Sequence, residues 1–164
     1  MSPEENAAYL KALERICDVE ELGATTLDLR SLQFLKKLPP ELGQLALLQR
    51  LNLARRRQIS DATPLRNLTA LQTLNFSWCR SLLRFAPLEV LLPTLKQLYL
   101  FDCQFEDLPA EVCGDVDQNV LAEVRAHYAD LKADPAIDAE IKVLFLGNGG
   151  GEDPTVPPIA RSAL

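Results

Sequence analysis

The pattern Leu-x-x-Leu-x-Leu, beginning at Ala24, Leu48, Leu71 and Leu95, recurs at intervals of 24, 23 and 24 residues. Its members are Ala24-Leu27-Leu29, Leu48-Leu51-Leu53, Leu71-Leu74-Phe76 and Leu95-Leu98-Leu100. Each unit carries a second apolar block, such as Leu38-Pro39 with Leu42 and Leu45. A self-similar period of this length belongs to a stack of like units, because one short strand turns its i, i+3 and i+5 side chains inward but cannot bury them alone. Stacking closes the core and leaves two open ends that need covers.

Both flanks suit that role. Ser2, Pro3 and Glu5 match an N-cap, a first-turn proline and a capping-box acid, so a helix is predicted from there. Tyr9, Leu10, Leu13 and Ile16 form its apolar stripe, and Gly23 turns the chain into the first strand. A second helix is predicted over about 117–134, with Asp117 as its cap, Val120, Leu121, Val124, Tyr128 and Leu131 on one face and Pro135 as its stop. His127 lies beside that stripe without a serine, cysteine or carboxylate partner and is read as structural or solvated. The pattern is that of a leucine-rich repeat. The expected architecture is an α/β leucine-rich-repeat solenoid, a short horseshoe of about four repeats over 23–113, with helical caps at 1–22 and 114–135 and a further segment at 136–164.

With 48% apolar residues, a chain of 164 can bury a sizeable core, and a net charge of -6 argues against general binding to nucleic acid or membrane surfaces. No apolar run approaches the roughly 18 residues of a membrane span. The acidic start, Ser2-Pro3-Glu4-Glu5, lacks the basic region of a signal peptide, so a cytoplasmic location is expected. Cys79 and Cys103 occupy the same position in consecutive repeats. They are expected to be reduced and structural, buried against loop carbonyls. Cys17 and Cys113 lack the paired spacing of a zinc site, and no metal is expected. Arg56 stands at the position equivalent to Cys79 and Cys103. A charge is costly to bury, so that turn is expected to bulge outward.

Residues between the buried leucines should project from the concave face in columns. One holds Thr26, Arg50, Thr73 and Gln97, the next Asp28, Asn52, Asn75 and Tyr99, a third Arg30, Ala54, Ser77 and Phe101, and a fourth Ser31, Arg55, Trp78 and Asp102. Aromatic anchors flanked by arginine are favoured at interface hot spots. The candidate partner-binding residues are therefore Arg30, Arg50, Arg55, Trp78, Tyr99 and Phe101. Two choices stay open: Trp78 and Phe101 either anchor a partner or roof the edge of the core or pack beneath the second cap, and Arg55-Arg56-Arg57 is either a solvated run, the favoured reading, or with Arg30 and Arg50 an anion or acidic-partner patch.

The strand-like segment Glu140-Ile141-Lys142-Val143-Leu144-Phe145-Leu146 runs into Gly147-Asn148-Gly149-Gly150, like the opening of a P-loop. A Walker A loop needs Gly, Lys and Ser or Thr where this chain has Glu152, Asp153 and Pro154. Two carboxylates and a missing N–H would repel phosphate. The order of parts resembles the N-terminal half of a bacterial Roco protein, a repeat domain and linking helix followed by a Ras-like Roc GTPase domain. The resemblance covers roughly residues 8–150. It rests on Ala12-Leu13-Glu14-Arg15-Ile16 with Gly23-Ala24-Thr25-Thr26-Leu27-Asp28-Leu29, on Leu38-Pro39-Pro40-Glu41-Leu42-Gly43, and on the junction from Asn119-Val120-Leu121-Ala122-Glu123-Val124 to Asp138-Ala139-Glu140 and the glycines. It implies a guanine-nucleotide site in the intact relative. Codons for Glu152-Asp153-Pro154 read one base later permit Lys-Thr, so the tail is either a frameshifted P-loop or a natural proline-rich segment. Exposed, the 140–146 strand would be an association hazard, and homodimer formation through it is expected if it does not fold back on the repeats.

Three classes of function follow. The favoured one is a scaffold that binds a protein or peptide on the concave face, without cofactor or enzymatic activity. A P-loop GTP-binding regulator would need the missing Gly-Lys-Ser/Thr. A repeat effector with ubiquitin-ligase activity would need a larger catalytic domain than follows Cys113, whose thiol is in any case surrounded by Glu111, Asp115 and Asp117. Such neighbours raise a thiol's pKa.

Overall fold

The structure is a computed structural model, and it describes residues 2–82 and 84–133. The chain divides into two compact units, residues 1–128 and 129–164, and only the last turn of a helix is described in the second. The first unit is mixed α/β. Helix α1 (Pro3–Leu22) leads to four three-residue strands, β1 (Thr26–Asp28), β2 (Arg50–Asn52), β3 (Thr73–Asn75) and β4 (Gln97–Tyr99). Short 3₁₀ helices follow the strands at Pro40–Gln44, Thr63–Asn67, Ala86–Leu91 and Ala110–Cys113, and α2 (Leu121–Ala133) comes last.

The strands form one parallel sheet in sequence order. Leu27, Leu51, Leu74 and Leu98 stand in register across it, as do Thr26, Arg50, Thr73 and Gln97. The sequence period is thus also the spatial register, and a shift of one residue would turn every central leucine outward. These leucines belong to one continuous buried cluster with Leu29, Leu53, Phe76 and Leu100 and with Leu42, Leu65 and Leu88 of the 3₁₀ helices. The 3₁₀ helices pack so closely that a Cβ on Gly43 would lie 2.6 Å from the Pro64 carbonyl oxygen. Among the described residues, no helix is long and apolar enough to cross a membrane.

In α1 the capping box is present. The Ser2 hydroxyl accepts from the Glu5 N–H at 3.2 Å, and the Glu5 carboxylate accepts from the Ser2 N–H at 3.1 Å. Gly23 ends the helix with φ +60°. The buried stripe differs from expectation: Ala8, Ala12, Ile16 and Val19 face the core, whereas Leu10 is 56% exposed and Tyr9 and Leu13 are half-buried. A 3.6-residue period fits two stripes one residue apart, and the small alanines permit the closer approach.

The second helix begins at Leu121, not near Asp117, which has φ +57°. Asn119 accounts for the later start, since its Oδ1 accepts from the N–H groups of both Leu98 (2.9 Å) and Leu121 (3.3 Å). Its Nδ2 donates to the Lys96 carbonyl at 3.2 Å, and the Val120 N–H donates to the Leu98 carbonyl at 2.9 Å. Asn119 and Val120 thereby satisfy the outer edge of β4. Val120, Leu121, Val124 and Tyr128 are buried, but Leu131 is 36% exposed. Pro135 lies outside the described residues.

The turns after β2, β3 and β4 each carry a buried side-chain donor. The Cys79 thiol donates to the Leu53 carbonyl and the Cys103 thiol to the Phe76 carbonyl, each at 3.2 Å. Arg56 corrects the expected outward bulge, because it is only 3% exposed. Its apolar stem fills the space between turns, and its Nη2 donates to the Arg30 carbonyl. Nε and Nη1 are buried with no hydrogen-bond partner among the described residues. Burial accordingly pulls the guanidinium pKa down.

Candidate binding groove

The same local device sets up three successive turns. Asp28, Asn52 and Asn75 each use Oδ1 to accept the N–H two residues on, from Arg30 (2.9 Å), Ala54 (3.1 Å) and Ser77 (2.9 Å). This side-chain turn bends the chain as it leaves the strand. In the turns after β2, β3 and β4 the residues three beyond Asn52, Asn75 and Tyr99, namely Arg55, Trp78 and Asp102, are left-handed, with φ of +66°, +69° and +56°. A non-glycine residue there costs about 1–2 kcal/mol. Neighbouring turns stabilise the geometry, as the Arg55 N–H donates to the Ser77 carbonyl at 2.7 Å and the Trp78 N–H to the Phe101 carbonyl at 2.6 Å.

The turns bring Arg30, Arg55, Trp78 and Phe101 around one groove of about 860 Å³. Trp78 and Phe101 meet edge to face, ring centroids 4.8 Å apart and planes at 82°. Both are half-buried, unlike Phe76 and Phe85, which are wholly inside the core. Arg50 and the half-buried Tyr99 lie instead in a neighbouring hollow of about 380 Å³ over the strands. Asp28 and Asn75 line both, so the two spaces adjoin.

Three lining residues came from outside the expected columns. Arg15 reaches in from α1, donating through Nη1 to the Asp28 carbonyl at 2.7 Å and through Nη2 to the Ser31 hydroxyl at 2.8 Å. Val116 and Asp117 line the groove from the loop before α2, and both are exposed. The strand register could not signal them, because it describes only residues within the repeat.

The four lining arginines are not equivalent. Arg30 is paired with Asp28 at 2.7 Å, which holds the Asp28 carboxyl below its ordinary range and raises the Arg30 pKa. The Arg15 hydrogen bonds go to neutral acceptors. Arg50 and Arg55 are exposed, and neither has a side-chain hydrogen bond or ion pair among the described residues. At the rim, Asp102 is already paired with Arg80 at 2.7 Å.

Groups with catalytic chemistry do not converge on this groove. His127 stacks edge-on against Tyr128, ring centroids 5.6 Å apart. Burial pushes the Cys79 thiol up to about 12 and raises those of Cys103 and Cys113, with Glu111 adding to the effect at Cys113. Among the described residues no three His, Cys, Asp or Glu side chains are grouped to hold a metal ion. Gly147, Asn148, Gly149 and Gly150, the 140–146 strand and residues 152–154 lie outside the described residues. In comparisons with protein-family models, curated proteins and solved structures, nothing matches the chain.

Proposed function

We propose that the chain is a short leucine-rich-repeat scaffold of a Roco-like regulator that binds a protein or peptide segment across the face carrying Arg50, Arg55, Trp78, Tyr99 and Phe101. The 24, 23 and 24 residue spacing, preserved as strand register, supports the repeat assignment. The observation that carries the binding role is the half-exposed Trp78–Phe101 pair in an 860 Å³ groove. Rings already held by each other and by the backbone lose little freedom when a partner covers them. Four free cysteines fit a reducing compartment, which supports a cytoplasmic location.

The test is selection of extended peptides from a random display library against the purified chain, followed by affinity measurement with Trp78→Ala/Tyr99→Ala. Loss of one hot-spot aromatic costs about 2 kcal/mol or more, roughly thirtyfold in affinity, and because such losses are not additive the double variant should fall by at least that factor. Circular dichroism and thermal unfolding should remain close to those of the parent. Unaltered affinity in a folded double variant would defeat the assignment of this face. Loss of folding would instead place the rings in the core, and Tyr99→Ala alone then decides whether the face binds.

A further inference from the structure

We infer that the segment accepted here is acidic, an extended peptide whose Asp or Glu carboxylates meet Arg15, Arg50 and Arg55 while an apolar side chain on the same face, two residues further along, packs against Trp78 and Phe101. The inference rests on the proposed binding role and names the chemistry of the partner. The face has surplus hydrogen-bond donors and few free acceptors. The Oδ1 atoms of Asn52 and Asn75 are occupied by backbone N–H groups, which leaves both Nδ2 groups as donors. Arg50 and Arg55 have no acidic partner among the described residues, and the two acceptors of Arg15 are uncharged. Asp28 is neutralised by Arg30 and Asp102 by Arg80, so Asp117 is the one lining carboxylate without an ion pair among the described residues.

Charge points the same way. The two adjoining spaces are lined by four arginines and two aspartates, a basic island on a chain of net charge -6. Charges beyond a Debye length of about 8–10 Å are screened, so a bound peptide responds to the island more than to the whole molecule. Carboxylates also match guanidinium geometry and accept two donors at once. Four strands spaced about 4.8 Å apart span roughly 14 Å, which accommodates about four extended residues. Arg15 lies against β1 and Arg50 and Arg55 on β2 and its turn, whereas Trp78 and Phe101 follow β3 and β4, so acids that precede an apolar residue on the same face of the peptide match that order.

Two synthetic octapeptide sets test this, one with Glu or Asp at positions 2 and 4 and Leu, Ile or Phe at position 6, so that acids and apolar residue share a face, the other carrying Gln or Asn in place of every acid. The acidic set should bind at least about tenfold more tightly, with the difference shrinking as salt rises. In the exposed pair Arg50→Glu/Arg55→Glu the preference should vanish or reverse. Equal binding of both sets, still sensitive to Trp78→Ala, would overturn the acidic inference and leave the binding role standing. Absence of binding by either set, and by peptides selected from a random library, would overturn both.

Discussion

Arg56 shows how a single residue can satisfy a repeat and strain it at once. Its Nη2 replaces the donor that cysteine supplies in the next two units, while Nε and Nη1 remain buried without partners. Desolvating a guanidinium costs several kcal/mol, and one carbonyl offsets only part of that. Arg56→Met retains much of the stem volume and removes the charge. It should raise stability by about 1–4 kcal/mol, read as a higher midpoint in urea unfolding with an unchanged slope. A lower midpoint would mean that the guanidinium is compensated by its surroundings. The sequence located Arg56 at the correct point of the repeat. It could not show whether the stem would fold inward, because that depends on the gap between two turns and on the Arg30 carbonyl lying within reach.

Among the elements, the sheet edges are the places where a stack of three-residue strands is most open. At β1, Arg15 of α1 donates to the Asp28 carbonyl, and at β4 the Asn119 side chain and Val120 N–H take the place of another strand. Unpaired edges invite association with other chains. Asn119→Ala would leave the Leu98 N–H and Lys96 carbonyl without these partners, at a cost of about 1–3 kcal/mol. Asn119→Asp keeps the acceptor and should lose less, an ordering that thermal denaturation of the three proteins would test. Equal stability of all three would show that water serves this edge as well. The strands were legible because period and burial coincide in them, with Leu98 at their expected centre. The start of α2 was not legible, since Asn119 acts through β4, some twenty residues upstream, and Asp117 offered an equally good local cap.

Across the whole first unit, a single buried cluster runs from Ala8 to Tyr128, so no strand layer has a core of its own. The columns of the candidate face were legible in part: the repeat placed Arg30, Arg55, Trp78 and Phe101 on adjoining positions, but it did not separate Arg50 and Tyr99 into a second hollow, nor did any glycine announce the left-handed turns. In a stack, stability is the sum of units and nearest-neighbour interfaces, and a short one should open as a whole. The cysteines are built-in reporters of that opening. Cys17 is exposed on α1, whereas Cys79 and Cys103 are buried in consecutive turns. With an aromatic disulfide reagent Cys17 should react at once, and Cys79 and Cys103 should react slowly and at the same rate, set by global unfolding. Burial raises the folded Cys79 pKa from 9.0 to about 12, so its contribution is fully present below pH 9. It is lost progressively toward pH 12 as the unfolded thiol ionises first, and alkaline solution should therefore lower stability. If Cys103 instead reacted well ahead of Cys79, the β4 layer would be opening separately. The Trp78–Phe101 pair, which joins those two layers, would then be broken in part of the population, and the affinity for the proposed peptide partner would fall to the intrinsic value multiplied by the fraction of molecules in which the pair is intact.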